Sequence, residues 1–257
     1  MIRIEALPVL KDNYVWIIVE QDKRIATIVD PGEAAPVIDY LEKYKLRLLA
    51  ILLTHHHLDH CGGVDDLVRR YSVPVYAHYQ EKKASASQRL NDGEVFSLPD
   101  SELRWQALAI PGHTLGHCAF KFDKHLFTGD TLFSLGCGRI FEGNAKMMWH
   151  SLVKLCSYDD DTLIYPGHEY TLANCRFAEF IQPDNIDLLD YKKLILKKIA
   201  AGLPTLPSSL KIEKLSNPFL QCHRQIIQLR VSELSNTSAK QAIEVFSMMR
   251  ELKNSFK

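Results

Sequence analysis

The chain of 257 residues contains no apolar run that approaches the length needed to cross a bilayer, so no membrane-spanning helix is expected. Its 31 basic and 31 acidic side chains cancel formally, which removes the electrostatic bias of a protein that binds nucleic acid or an anionic membrane. Neither is expected as a partner, and the balance counts against a nuclease. The six cysteines, Cys61, Cys118, Cys137, Cys156, Cys175 and Cys222, form no C-x-x-C pair and predict reduced thiols in a cytoplasmic protein. Repeats and low-complexity tracts are lacking. The opening segment Met1 to Leu10 alternates apolar and polar residues instead of placing a long apolar stretch after a basic one, so no signal peptide is expected.

What the chain does have is a hydrophobic content of 46%, enough at this length to bury a sizeable core, and a dense cluster of metal donors. The apolar run Leu48 to Leu53 stops at Thr54, His55, His56, His57, Leu58, Asp59 and His60. Imidazoles and a carboxylate at the end of a buried strand suit zinc, manganese or iron. In an extended conformation alternate side chains share one side, so His55 and His57 reach the same ion while His56 points away. Asp59 and His60 fall where the chain turns, free to face a second ion. The bland alternatives are a solvated polar loop or a purification tag, but a tag would lie at a terminus.

Two ions need more donors than this run supplies, and three later segments provide them. Leu103 to Ile110 ends in Pro111, Gly112 and His113; His125 to Thr128 ends in Gly129 and Asp130; Thr162 to Tyr165 ends in Pro166, Gly167 and His168. Each is a short strand-like run followed by a glycine and a donor. Ligands gather beyond the carboxyl ends of strands in α/β folds, which makes four such strand ends one candidate site.

The coarse pattern predicts strands over Ile2 to Leu7, Tyr14 to Glu20 and Arg24 to Val29, a turn at Asp30-Pro31-Gly32, and a helix from Ala34 to Tyr44. Gly62 and Gly63 open a helix through Tyr71, and Val75 to Ala77 is the next strand. After His168 helical periodicity takes over, with candidates at Thr171 to Ile181, Asp187 to Ala201 and Ala239 to Leu252. The proline-containing stretch Leu203 to Pro218 separates the last two. A metal-binding domain over residues 1–170 and a smaller helical domain over 171–257 are expected.

The run His55-x-His57-x-Asp59-His60, with His113, Asp130 and His168 at later strand ends, resembles the metallo-β-lactamase superfamily and implies its four-layer αββα sandwich. Gly129-Asp130-Thr131-Leu132-Phe133, Gly136-Cys137-Gly138-Arg139, Gly167-His168-Glu169-Tyr170-Thr171, Asn217-Pro218-Phe219 and a basic C-terminal helix narrow the resemblance to the hydroxyacylglutathione hydrolase family. It spans nearly the whole chain.

That resemblance implies two divalent ions per chain, zinc first, with iron or manganese able to use the same donors. His55, His57 and His113 would hold one ion, Asp59, His60 and His168 the other, with Asp130 shared. Arg139, Phe141, Tyr170, Arg250 and Lys253 would meet a glutathione thioester, the last two at its glycine carboxylate. Arg139 stands where some members have Lys, and Phe141 where some have Tyr, which removes one hydroxyl from the substrate side. A hydroxide held between the ions, beside Asp59 and Asp130, would attack the thioester carbonyl, releasing D-lactate and glutathione from S-D-lactoylglutathione. The expected protein is a cytoplasmic monomeric thioesterase of methylglyoxal detoxification. A persulfide dioxygenase with a single iron, another hydrolase of the same fold, and a metal-stabilised scaffold without catalysis are the alternatives. Cys61 and Cys137, next to donor motifs, are expected to be buried and inert.

Overall fold

The computed structural model describes residues 1–256. The chain divides into two compact units, Met1–Ala109 with Leu115–Gly129, and Ile110–Thr114 with the chain from Asp130 onward.

The first unit starts with β1 (Ile2–Val9), β2 (Asn13–Glu20) and β3 (Ile25–Val29), antiparallel neighbours that pair Ile4 with Ile18 and Ile17 with Ile28. Arg24, expected in the third strand, adopts a left-handed conformation at φ 51° and closes the turn before it. Helix α1 (Ala35–Tyr44) leads into β4 (Arg47–Leu52), which runs parallel to β3. The short α2 (Leu58–Cys61) and then α3 (Val64–Tyr71) precede β5 (Val75–His78) and β6 (Gln88–Leu90), so that β1 to β6 lie side by side in chain order.

Leu48 to Leu52 in β4 are all buried, as a parallel strand covered on both faces requires, which is why this segment reads as an unbroken apolar run. Its Ile51 packs into a core with Ile17, Ile28, Leu41 and Leu67. Full burial of each such side chain contributes about 1.5–3 kcal/mol before conformational entropy is charged against it. The unit is completed by β7 (Val95–Ser97), β8 (Arg104–Ala109), β9 (Cys118–Phe122) and β10 (His125–Gly129), antiparallel in chain order. Trp105, fully buried, meets Phe122 edge-on at 4.7 Å.

The second unit opens with the hairpin β11 (Leu132–Phe133) and β12 (Gly136–Cys137), then α4 (Ala145–Leu155), a helix that the sequence pattern did not announce. Asn144 starts it by accepting a hydrogen bond from Met147 N at 2.9 Å. β13 (Leu163–Pro166), α5 (Thr171–Ile181) and α6 (Ile186–Ala200) follow, and β14 (Ser208–Ser209) pairs with β13. The stretch expected to be a plain separator holds α7 (Leu210–Ser216), and α8 (Gln225–Ser235) lies between it and α9 (Ala242–Ser255). A helix of 7 residues is too short for its periodicity to register, and its start depends on the Ser209 cap rather than on an apolar stripe. α9 begins later than its apolar pattern because Gln241 and Glu244 form a reciprocal capping box. Phe219 anchors the helices, its ring 5.7 Å from Phe177 and 5.9 Å from Phe246. Among the described residues no helix is long and apolar enough to cross a membrane.

Candidate metal centre

β3 and β4 are parallel, so their carboxyl ends emerge together. Asp30 N donates to Leu52 O at 3.1 Å, and the Asp30 carboxylate accepts from Thr54 N at 2.7 Å and Thr54 Oγ1 at 2.6 Å. This buried clasp fixes the chain where the donor stretch begins. His55 and His57 then bring Nε2 and Nδ1 to 3.1 Å of each other, the outcome that their alternation predicts. His57 is the last extended residue, with φ −62° and ψ 142°; from Leu58 the chain coils into α2, which turns Asp59 and His60 together. Asp59 Oδ2 stands 3.5 Å from His60 Nε2.

Two residues given no part in the site by the sequence hold this arrangement. Asp30 appeared there only as part of a turn, yet its Oδ2 lies 3.0 Å from His60 Nδ1. Asn13 Nδ2 donates to Asp59 Oδ2 at 3.0 Å and to Asp59 O at 3.2 Å. No local signal marks either, because Asn13 opens β2 and Asp30 follows β3, both remote in sequence from the donors. Gly32 is required for a related reason: a Cβ there would stand 2.0 Å from Asp59 O.

The second unit brings together its own three donors. His113 Nε2 and His168 Nε2 lie 3.6 Å and 3.4 Å from the same atom, Asp130 Oδ2. These separations are long for hydrogen bonds. They match the edge of a tetrahedral site, since donors about 2.1 Å from one ion stand about 3.4 Å apart. His113 Nδ1 is taken up by Arg139 O at 2.8 Å, and Gly138 permits that approach, because a Cβ on it would lie 1.8 Å from Asp130 O. Three imidazoles thus follow one rule. In His55, His60 and His113 the Nδ1 is bound to Thr54 Oγ1, Asp30 Oδ2 and Arg139 O, which leaves each Nε2 aimed at another donor. Ligating histidines need that support, so the donor set fits divalent metal ions.

The remaining imidazoles near the loop do other work. His56 Nδ1 faces Glu81 Oε1 at 3.2 Å, and the ring of His117 stacks on His55 at 4.7 Å. Burial pushes the Cys61 and Cys137 thiols above their ordinary range, which keeps them protonated and unreactive near neutral pH.

Of the expected substrate residues, Arg139, Phe141 and Arg250 line one cavity of about 440 Å³. Phe141 is not a core residue: it is 63% exposed, with its ring 5.2 Å from His113 in an edge-on contact. Arg250, far from being a solvated helix end, is buried, donates to Cys137 O at 2.8 Å and lies 5.2 Å over the Phe219 ring. Lys253, on the same face of α9, does not line that cavity. Its ammonium donates to Ala173 O at 3.2 Å and sits 5.0 Å over the Phe177 ring. Burial, reinforced by the Arg250 charge, pulls it down to about 8. Tyr170 stacks on His168 with the planes 6° apart and the centroids at 4.6 Å.

Comparison with known proteins agrees with this geometry. Residues 10–168 match the metallo-β-lactamase superfamily, and residues 169–256 match the hydroxyacylglutathione hydrolase C-terminus. The hydroxyacylglutathione hydrolase of Nitrosomonas eutropha is 45% identical over 98% of this chain and 99% of its own length. That of Nitrosomonas europaea is 43% identical over 100% of this chain and 97% of its own. Among solved structures, ETHE1 from Myxococcus xanthus superposes with a TM-score of 0.66 at 24% identity, covering 96% of each chain, a likeness of fold.

Proposed function

Because the chain belongs to the hydroxyacylglutathione hydrolases of the metallo-β-lactamase superfamily, we propose that it hydrolyses glutathione thioesters, converting S-D-lactoylglutathione and water to D-lactate and glutathione. His55, His57 and His113 would hold one divalent ion and Asp59, His60 and His168 a second, with Asp130 common to both. Zinc is the proposed metal, and iron or manganese are the alternatives that the same donors accept. When bound, such ions supply hydroxide at neutral pH and stabilise the oxyanion that forms on the thioester carbonyl.

The chain's own residues do the rest. Asp59, held by Asn13, and Asp130 offer carboxylates beside the reacting water. Arg139 and Arg250 face the cavity with cations suited to the carboxylates of glutathione, and the buried Arg250 Nε has no acceptor among the described residues. Tyr170 and Phe141 offer apolar ring faces to the peptide, and Lys253 a further cation. The thiolate of glutathione is a stable leaving group and needs no acid from the protein. Residues 1–170 would carry the metals together with Arg139, Phe141 and Tyr170, and residues 171–257 would bring Arg250 and Lys253 to the substrate, in a cytoplasmic monomer.

The observation that carries the hydrolytic reading is Asp130 Oδ2 facing two imidazole nitrogens at once. The full-length relatives support the substrate. The test is metal analysis and thioester hydrolysis on one preparation, before and after chelation. Turnover of S-D-lactoylglutathione that disappears with the metal is expected. A fully metallated sample that leaves the thioester intact sinks the reading, and oxygen uptake with glutathione persulfide would replace it.

A further inference from the structure

The β11–β12 hairpin connects Asp130 to Arg139, and its tip is a strained place. Leu132 pairs with Cys137 and Phe133 with Gly136, leaving Ser134 and Leu135 as the turn. Leu135 is fully buried and sits at φ 58°, a conformation that costs a branched residue about 1–2 kcal/mol. Glycine or asparagine is the ordinary solution there. The chain instead supplies external partners for the turn's backbone.

Leu135 N donates to Glu213 Oε2 at 2.8 Å. Asn217 Nδ2 donates to Gly136 O at 3.0 Å, Phe133 O at 3.3 Å and the same Glu213 oxygen at 3.1 Å, and Asn174 Nδ2 donates to Ser134 O at 3.1 Å. Glu213 is 0% exposed, and among the described residues no Lys or Arg pairs with it. A carboxyl group buried without a counter-charge is costly, and that cost is offset here by the hydrogen bonds that Glu213 accepts from Leu135 N and Asn217 Nδ2. The hairpin that Glu213 grips reaches two proposed ligands. Its exit passes through Gly138, tight against Asp130 O, to Arg139, whose carbonyl holds His113 Nδ1.

We propose that Glu213 is a positioning residue for the reaction, holding the strained hairpin so that Asp130, His113 and the Arg139 side chain keep their working geometry. It touches neither substrate nor ion. The metal-ligand and substrate roles given to those residues rest on the function proposed above; the grip on the hairpin does not.

The test compares Glu213→Gln, Glu213→Asp and Glu213→Leu in the full chain, by metal content, by kcat and KM for the thioester, and by hydrogen exchange at the Leu135 amide. The glutamine variant keeps an acceptor at the same reach and should stay within about threefold of the parent in kcat/KM. Aspartate keeps the carboxyl group but withdraws the acceptor by one methylene, and should lose about tenfold or more, with both kcat and KM affected and Leu135 exchanging faster. Leucine should lose the most while still melting cooperatively. Should leucine fail to fold, the order of the glutamine and aspartate variants decides: aspartate equal to or better than glutamine overturns the proposal. So does unchanged Leu135 exchange in the aspartate variant. If the parent, fully metallated, hydrolyses no thioester, the proposed function falls, while exchange and metal content still decide the role of Glu213.

Discussion

The donors of the first unit come from the single stretch His55 to His60, whereas those of the second, His113, Asp130 and His168, come from segments far apart in sequence. The contiguous stretch looks self-sufficient and is not. Its histidines and its aspartate depend on Asp30 and Asn13, which sit on or beside neighbouring strands. The dispersed donors look fragile, yet Asp130 gathers two imidazoles around one oxygen, and the Arg139 carbonyl fixes one of them. Density of donors in a sequence therefore measures how visible a site is, not how independently it stands.

Asp130→Ala tests the dispersed side of that comparison and should have the largest effect. One substitution removes the group that both His113 and His168 face. Most bound metal should be lost and kcat should fall about a thousandfold or more, read by metal analysis and turnover. Normal occupancy of both sites would refute the shared role.

Asp30→Ala asks whether the contiguous stretch stands alone. The substitution leaves His60 without its Nδ1 partner and the buried Thr54 N–H without an acceptor. Metal affinity should weaken about ten- to a hundredfold. Stability of the metal-free chain should drop by about 1–3 kcal/mol, measured by denaturant unfolding. An unchanged metal dissociation constant would show the stretch to be self-sufficient after all.

The smallest effect is expected from Lys253, which lies outside both donor sets. Lys253→Ala should raise KM for glutathione thioesters a few-fold, about what one partly solvated ion pair contributes, without changing metal content. Its ammonium titrates near 8, so in the parent KM should rise as pH increases through that value, and the alanine variant should lack this rise. For stability the sign is opposite to that of a salt-bridged lysine. The folded pKa is depressed below the ordinary 10.5, so between about 8 and 10.5 only the unfolded chain keeps the proton, and stability gains with pH across that window. A KM profile identical in parent and variant would remove Lys253 from the substrate site.

Much of the first unit was legible because its signals are local. β4 is buried on both faces and therefore apolar throughout, and the coil of α2 directly after His57 turns Asp59 and His60 as a bend would. The helices α4, α7 and α8 were not legible. α7 starts on a serine cap in a proline-containing stretch, and the buried residues of α8, Ile227 and Val231, are too few to impose a clear stripe. Arg250 and Lys253 illustrate another limit. Their spacing placed them on one face of a helix, but only packing shows that Arg250 grips Cys137 O while Lys253 turns to Ala173 and Phe177.

The sequence by itself determined which atoms are available to hold metal, because donor chemistry and the position of each donor after an apolar run are local properties of the chain. It determined the family too, through motifs spread from Thr54 to Lys253. Only the tertiary structure decided which ring nitrogen each histidine presents, that Asp30 and Asn13 brace the donors, and that Glu213 grips the hairpin beyond Asp130. Those facts depend on hydrogen bonds between groups tens of residues apart. Such bonds form only where packing has already brought their partners within about 3 Å, and no local pattern records them.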